Sequence, residues 1–188
     1  MVALASTVFS LVIGFSAPLT LVTSLSLESW HPEVGDVLIV DTKDNIGYLV
    51  HTDGVFASFP VSTGQRKVVR YLGRTYNAMT PEKAWVAKSF HIQSDRITFG
   101  AADPNTYPEL DGAFLRLYVD GSQYSHYGIH PTKYSKSIFA ETDRYESMGC
   151  IIVSDEMMEV ILETWRLNGK ELTVVTKYGL PTQQFAQQ

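Results

Sequence analysis

Short β-branched runs that alternate with tight-turn signals dominate the chain from Val37 onward. Residues 37–40 and 46–50 form the first two runs, and Asp44-Asn45 between them is typical of a hairpin turn. The same pattern predicts further strands at residues 55–61, 85–92, 114–119, 124–129 and 172–176. Because these runs are close together and no internal repeat interrupts them, the sequence predicts a single, mainly β domain.

One segment has the pattern of an amphipathic helix. Ser154 is a suitable N-cap, and the acidic residues that follow it favour the positive end of the helix dipole. Apolar residues then recur at helical spacing, at Met157, Val160, Ile161 and Trp165. The Asn168-Gly169 pair is typical of a helix end.

Residues 65–83 are more polar than their neighbours and are predicted to form a loop. This loop is rich in basic residues, namely Arg66, Lys67, Arg70 and Arg74. Two interpretations stay open for them: a solvated surface, or a contact with an anionic substrate.

The N-terminal segment differs from the rest of the chain. No ionisable side chain occurs between Met1 and Glu28, and the segment contains a compact apolar run. Residues 1–26 are therefore predicted to be a signal peptide or a membrane anchor, with a small-x-small cleavage pattern at Ser24-Leu25-Ser26. The alternative is a buried helix of a cytosolic domain. The predicted domain spans residues 30–180, and residues 181–188 form a polar tail.

Charge and cysteine content exclude some classes of function. The 15 basic and 20 acidic residues give a formal charge of −5, so nucleic acid is not an expected partner. The single cysteine, Cys150, excludes an intramolecular disulfide and a zinc site built on several thiolates. A lone cysteine is either a small buried apolar residue or a reactive nucleophile, and its context must decide.

The context of Cys150 favours a nucleophile. Ser147-Met148-Gly149-Cys150 precedes an apolar run that leads into the predicted helix. Gly149 permits a tight turn, whose backbone N–H groups can point at an oxyanion. A cysteine nucleophile also needs a base, usually a histidine.

Of the five histidines, His130 is the best candidate for that base. It lies at the end of a predicted strand and precedes Pro131. His126 lies on the same strand, but an even spacing on a strand does not give the chelating geometry of a helical pair, so no metal site is predicted. Structural roles are predicted for His31, His51 and His91.

Residues 127–130, followed sixteen residues later by Ser147-x-Gly149-Cys150, resemble the signature of L,D-transpeptidase catalytic domains of the YkuD type. The resemblance extends to residues 39–41, residues 59–64, Thr80-Pro81 and the closing helix and strand. It implies an L,D-transpeptidase-like β-sandwich or barrel with one or a few short helices. Three positions depart from the family pattern, which usually has glycine at Pro131, often histidine at Met148, and usually arginine or asparagine at Ile152.

The resemblance also implies a reaction and its residues. Cys150 would attack the third residue of a peptidoglycan stem peptide, and His130 would act as base and acid. Gly149 and Ser147 would support the oxyanion, and Tyr127 would line the cleft or belong to the core. We expect the thiol pKa to lie well below the roughly 8.5 of a free cysteine, because an imidazolium would favour the thiolate.

The partners implied are stem peptides as donor and acceptor, with a wall-attached protein as a further acceptor, and no metal or cofactor. The enzyme would be exported to the periplasm or cell envelope, or anchored in the membrane by its N-terminal segment. Two alternatives stay open. One is an L,D-carboxypeptidase or amide hydrolase on the same scaffold, and the other is a non-catalytic wall-binding module.

Overall fold

The computed structural model describes residues 23–71, 73–92 and 106–180. Most of the N-terminal segment predicted as a leader, residues 1–22, and the predicted tail lie outside the described residues. Eleven strands are described: β1 (Thr23–Leu25), β2 (Val37–Asp41), β3 (Ile46–Val50), β4 (Val55–Pro60), β5 (Val68–Tyr71), β6 (Arg74–Asn77), β7 (Lys83–Ile92), β8 (Ala113–Val119), β9 (Gln123–Pro131), β10 (Ile151–Val153) and β11 (Leu172–Lys177). Two α-helices accompany them, α1 (Ser135–Ala140) and α2 (Asp155–Leu167).

Nine of these strands form one sheet in the order β1-β4-β3-β2-β11-β7-β8-β9-β10. The sheet returns toward itself, because Ser62 pairs with Ile152 through two backbone hydrogen bonds of 2.9 and 2.8 Å. Ser62 follows β4, near one end of the sheet, and Ile152 lies in β10, at the other. The mainly β class and the L,D-transpeptidase-like sandwich or barrel expected from the sequence are confirmed.

The main core lies between one face of the sheet and α2. Met158, Ile161 and Leu162 of the helix pack against strand residues such as Leu115 and Ile129, all buried. Ser154 caps the helix as predicted, since its side chain accepts a hydrogen bond from the Met157 N–H. None of the helices in the described ranges is long and apolar enough to cross a bilayer.

The prediction of a loop at residues 65–83 is wrong in part. β5 and β6 form a separate antiparallel hairpin, and Gly73 adopts a φ of +77° at its turn. β-branched and aromatic residues favour the strands, but the exposed basic residues between them hide the alternation that predicts a strand. β7 then begins at Lys83, within the same predicted loop.

β1, α1 and β10 also lie where no strand or α-helix was predicted. β1 pairs in parallel with β4 at the edge of the sheet, so the end of the N-terminal segment contributes a strand. The cleavage pattern at residues 24–26 overlaps that strand, and its use stays a prediction. α1 is six residues long and has no side-chain N-cap, which explains why the sequence carries no helix signal there.

Candidate active site

The candidate site lies on the face of β8, β9 and β10 that points away from the main core. β9 pairs in parallel with β10, with Ile152 opposite His130, and antiparallel with β8, with Gly128 opposite Arg116. The intervening residues Leu115, Ile129 and Ile151 belong to the main core. Because successive side chains of a strand point to opposite faces, His130, Ile152 and Arg116 share the other face.

Cys150 immediately precedes β10 and joins this face. Extending the β9–β10 register by one residue places Cys150 opposite Gly128. The Gly128 backbone N–H donates a hydrogen bond to the Cys150 sulfur. Cys150 is therefore a diagonal neighbour of His130, one strand across and two residues along, so their Cα atoms lie roughly 8 Å apart. The structure thus brings together the two residues that the sequence predicts as nucleophile and base.

The Cys150 thiol is neutral at physiological pH. Cys150 is only 9% exposed, and burial raises the pKa of its thiol to about 11. The Gly128 N–H and the positive charge of Arg116 lower this pKa, but by less than burial raises it. The expectation of a thiol pKa well below that of a free cysteine is therefore wrong, because no imidazolium opposes the burial.

His130 is held as a neutral base. Its Nδ1 lies 3.0 Å from the Pro131 carbonyl oxygen, and because a carbonyl only accepts, Nδ1 carries the proton. Nε2 is then the nitrogen with a free lone pair in the neutral ring. Burial lowers the pKa of His130, and the hydrogen bond to Pro131 opposes this only in part. The site therefore holds a neutral thiol and a neutral imidazole on one face of the sheet.

The Phe114 ring supports the His130 imidazole. The two rings are stacked, with centroids 5.9 Å apart and planes inclined by 16°. Gly128 makes room for this contact, since a Cβ at that position would lie 2.3 Å from Phe114 Cζ. A side chain at residue 128 would therefore displace the ring that holds the base.

Ser147 holds the turn that precedes Cys150. Its hydroxyl donates to the Cys150 carbonyl oxygen at 2.6 Å and accepts the Gly149 N–H at 3.0 Å. The Gly149 N–H is thus engaged inside the turn. In the described part of the chain, no turn or loop hydrogen bond engages the Cys150 N–H, which makes it the candidate donor to a substrate oxyanion.

Gly149 is required by both its conformation and its surroundings. Its φ is +117°, and a Cβ there would lie 2.4 Å from Tyr127 Cε1. Tyr127 packs against the main core and meets the Trp85 ring edge-on, with centroids 5.5 Å apart. Tyr127 therefore lies beneath the turn, on the core side. Burial, and then the proximity of Cys150, raises the pKa of its phenol.

Thr80 ties the turn to the neighbouring loop. Its buried hydroxyl donates to the Gly149 carbonyl oxygen at 2.9 Å and accepts the Gly64 N–H at 2.9 Å. A Cβ at Gly64 would lie 2.0 Å from the Ala78 carbonyl oxygen, so this close approach needs glycine. The Thr80-Pro81 and Gly64 segments noted in the sequence thus meet at the turn that carries Cys150.

Sequence analysis missed Arg116 and Phe114. Arg116 lies on β8 between the buried residues Leu115 and Leu117. An arginine inside an otherwise apolar strand is the signal that could have revealed it, because an ionised group is rarely placed there without a role. Phe114 has no such signal, since an apolar residue in a strand is ordinary.

The remaining histidines lie outside this arrangement. His51 pairs with the buried Asp36 at 2.6 Å and stacks on Trp30, which confirms its structural role. His126 is exposed on β9, with its ring edge-on to Tyr124. Over the described ranges, no group of three or more histidine, cysteine, aspartate or glutamate side chains is arranged to hold a metal ion.

The comparisons with known proteins define the class. A family model for the L,D-transpeptidase catalytic domain, YkuD, matches residues 35–175. The chain therefore belongs to the L,D-transpeptidase catalytic domain family. No curated protein sequence matches it.

Two solved structures are similar in fold. An L,D-transpeptidase from Xylanimonas cellulosilytica aligns with a TM-score of 0.50 at 20% identity, covering 79% of this chain and 63% of that one. Bd1075 of Bdellovibrio bacteriovorus aligns with a TM-score of 0.52 at 12% identity, covering 88% of this chain and 54% of that one. The chain thus spans less than two thirds of either relative, and identities this low show the fold.

Proposed function

We propose that this protein is an L,D-transpeptidase in which Cys150 is the nucleophile and peptidoglycan stem peptides are the substrates. The proposal is carried by one relationship: Cys150 and His130 share a face as diagonal neighbours, and the Pro131 carbonyl orients the imidazole. Membership of the family supports peptidoglycan as the substrate class.

The neutral pair determines how the first step runs. As the substrate carbonyl reaches Cys150, His130 Nε2 takes the thiol proton and the sulfur attacks the carbonyl carbon. The Cys150 N–H would donate to the developing oxyanion, a contact worth about 3–4 kcal/mol in comparable sites. The C–N bond to the terminal residue then breaks, and the imidazolium returns its proton to the leaving amine.

The second step releases the acyl group from sulfur. An acceptor amine attacks the thioester, His130 takes a proton from that amine, and the C–S bond breaks to regenerate the thiol. If the amine belongs to another stem peptide, the product is a 3→3 cross-link, and if it belongs to a protein, that protein is attached to the wall. If water attacks, the same residues act as a carboxypeptidase.

Ile152 favours hydrolysis as the second candidate activity. It lies opposite His130 and is almost completely buried, where the family usually has arginine or asparagine. An apolar side chain removes a polar contact from the substrate face. We therefore propose a carboxypeptidase or amide hydrolase as the alternative on the same residues.

Defined muropeptides test both activities. The purified protein is incubated with a disaccharide-tetrapeptide, with and without an acceptor amine, and products are identified by mass spectrometry. Cross-linked product supports the transpeptidase, and shortened monomer alone supports the hydrolase. A protein that forms neither product, and that no carbapenem acylates, would instead be a non-catalytic wall-binding module.

We also propose that the enzyme acts outside the cytoplasm, since its substrate class lies there and residues 1–26 have the composition of a signal or anchor. A fusion of residues 1–30 to a reporter that is active only after export tests this. A reporter that remains inactive would contradict it.

A further inference from the structure

A permanently charged side chain, that of Arg116, also lies on the site face. Arg116, Gly128 and Cys150 follow one another across β8, β9 and the start of β10, and we call them the site row. Adjacent strands lie about 4.8 Å apart, so the Cα atoms at the two ends are separated by roughly 10 Å. The Phe114 ring fills the space over Gly128, and the Arg116 guanidinium lies against that ring.

The Arg116 guanidinium is held in place by its neighbours. Its Cζ lies 4.8 Å from the centroid of the Phe114 ring and 4.6 Å from that of Tyr124. One of its nitrogens donates to the Ser125 carbonyl oxygen at 2.8 Å. Contacts with two aromatic rings and a carbonyl restrict the side chain, so little further ordering is needed to bind a ligand.

Arg116 has no acidic partner among the described residues, where the ion pairs are His51–Asp36 and Lys88–Glu171. It is partly exposed, and within the same ranges it donates one hydrogen bond although a guanidinium has five N–H groups. Its charge nevertheless acts on Cys150. A partly buried cation on the face of the nucleophile, with no carboxylate partner in the described ranges, is suited to an anionic group of the substrate.

We propose that Arg116 binds the C-terminal carboxylate of the acyl donor and so selects donors in which a single residue follows the bond that is cut. This proposal rests on the proposed function. The carboxylate carbon of that single residue lies less than about 4 Å from the carbonyl carbon that Cys150 attacks, as bond lengths require. A carboxylate at the far end of a stem-peptide side chain is more distant from the thiol, so the terminal carboxylate fits the site row better.

Three donors separate these carboxylates. The first is a stem tetrapeptide with a free C-terminus, the second carries a C-terminal carboxamide, and the third is amidated only on its side-chain carboxylate. For the wild-type protein we expect the carboxamide donor to have a kcat/KM lower by at least about tenfold, as for loss of a charge-assisted hydrogen bond.

Arg116→Gln should abolish that preference. We expect the free acid to lose at least about tenfold in kcat/KM, while the carboxamide donor stays within about twofold of its wild-type value. Arg116→Lys, which keeps the charge, should retain an intermediate preference. The matched control is Arg166→Gln on α2, whose exposed arginine lies on the helix that covers the opposite face, and it should change none of these values.

Binding to a Cys150→Ala protein gives a readout that does not depend on turnover. The free acid should bind more tightly than the carboxamide, and adding Arg116→Gln should remove the difference. The proposal is overturned if Arg116→Gln lowers kcat/KM equally for the free acid and the carboxamide, or leaves their ratio at the wild-type value. It is also overturned if Arg116→Gln abolishes discrimination against the side-chain-amidated donor instead. If wild type converts and binds none of the three donors, the proposed function itself fails.

Discussion

Ile152 lies directly opposite His130 on the neighbouring parallel strand, so an isoleucine side chain flanks the candidate base. Both residues are less than 10% exposed. Burial is the main cause of the lowered pKa of His130. Ile152, one of the three departures from the family pattern, is thus part of the apolar surroundings of the base.

The first prediction concerns this contact. Ile152→Asn places a polar amide beside the imidazole, so the pKa of His130 should rise toward its ordinary value of about 6.5. Because the base must be neutral, the acid limb of the kcat/KM profile should move to higher pH. Ile152→Leu is the control and should leave the limb in place. An acid limb that is the same in all three proteins would contradict the account.

A second prediction follows from the neutral thiol. With a Cys150 pKa of about 11, alkylation by iodoacetamide should be slow at pH 7 and should rise about tenfold per pH unit between pH 8 and 10. Intact mass reports this site alone, because the chain has one cysteine. The denatured protein is the control and should react faster at pH 7. Rapid alkylation of the folded protein at pH 6–7 would show a preformed thiolate instead.

The same pKa affects stability. The thiol pKa is raised from 9.0 to about 11 on folding, so between these values the unfolded chain loses a proton that the folded chain keeps. Stability therefore falls as pH rises through this window, by about 2–3 kcal/mol in total. Urea unfolding at pH 8 and pH 10.5 measures about 2 kcal/mol of this loss, and Cys150→Ala should lack this component. Equal losses in both proteins would contradict it.

Thr80 provides a test of how the Cys150 turn is held. Thr80→Val keeps the shape but removes the partner of both the Gly149 carbonyl and the Gly64 N–H. We expect a loss of about 1–3 kcal/mol in the free energy of unfolding and slower acylation of Cys150. Thr80→Ser keeps the hydroxyl and should restore most of both. A valine variant with wild-type stability and acylation would show that the turn does not depend on this link.

The sequence predicted the features that depend on local pattern. Apolar and β-branched runs revealed seven of the eleven described strands, Ser154 and the apolar spacing after it revealed α2, and Cys150 and His130 stood out by residue type and context. The exposed β5–β6 hairpin and the short α1 escaped because neither carries a strong apolar periodicity.

The burial and protonation of Cys150 and His130 could not be predicted from the sequence. The thiol pKa depends on burial, and the site row depends on the register of β8, β9 and β10, which local sequence patterns do not specify. Gly128 illustrates the limit. In the sequence it is an ordinary glycine within a predicted strand. In the structure it makes room for Phe114 and lies between Arg116 and Cys150.

The central claim is that Cys150 forms an acyl-enzyme with the help of His130. The most direct measurement is mass spectrometry of the protein quenched during turnover of a stem tetrapeptide. We predict an adduct on Cys150 equal in mass to the donor without its terminal residue. It should be absent in Cys150→Ser and should form at least about 100-fold more slowly in His130→Ala. Turnover that persists in Cys150→Ser, or an adduct on any other residue, would contradict the account.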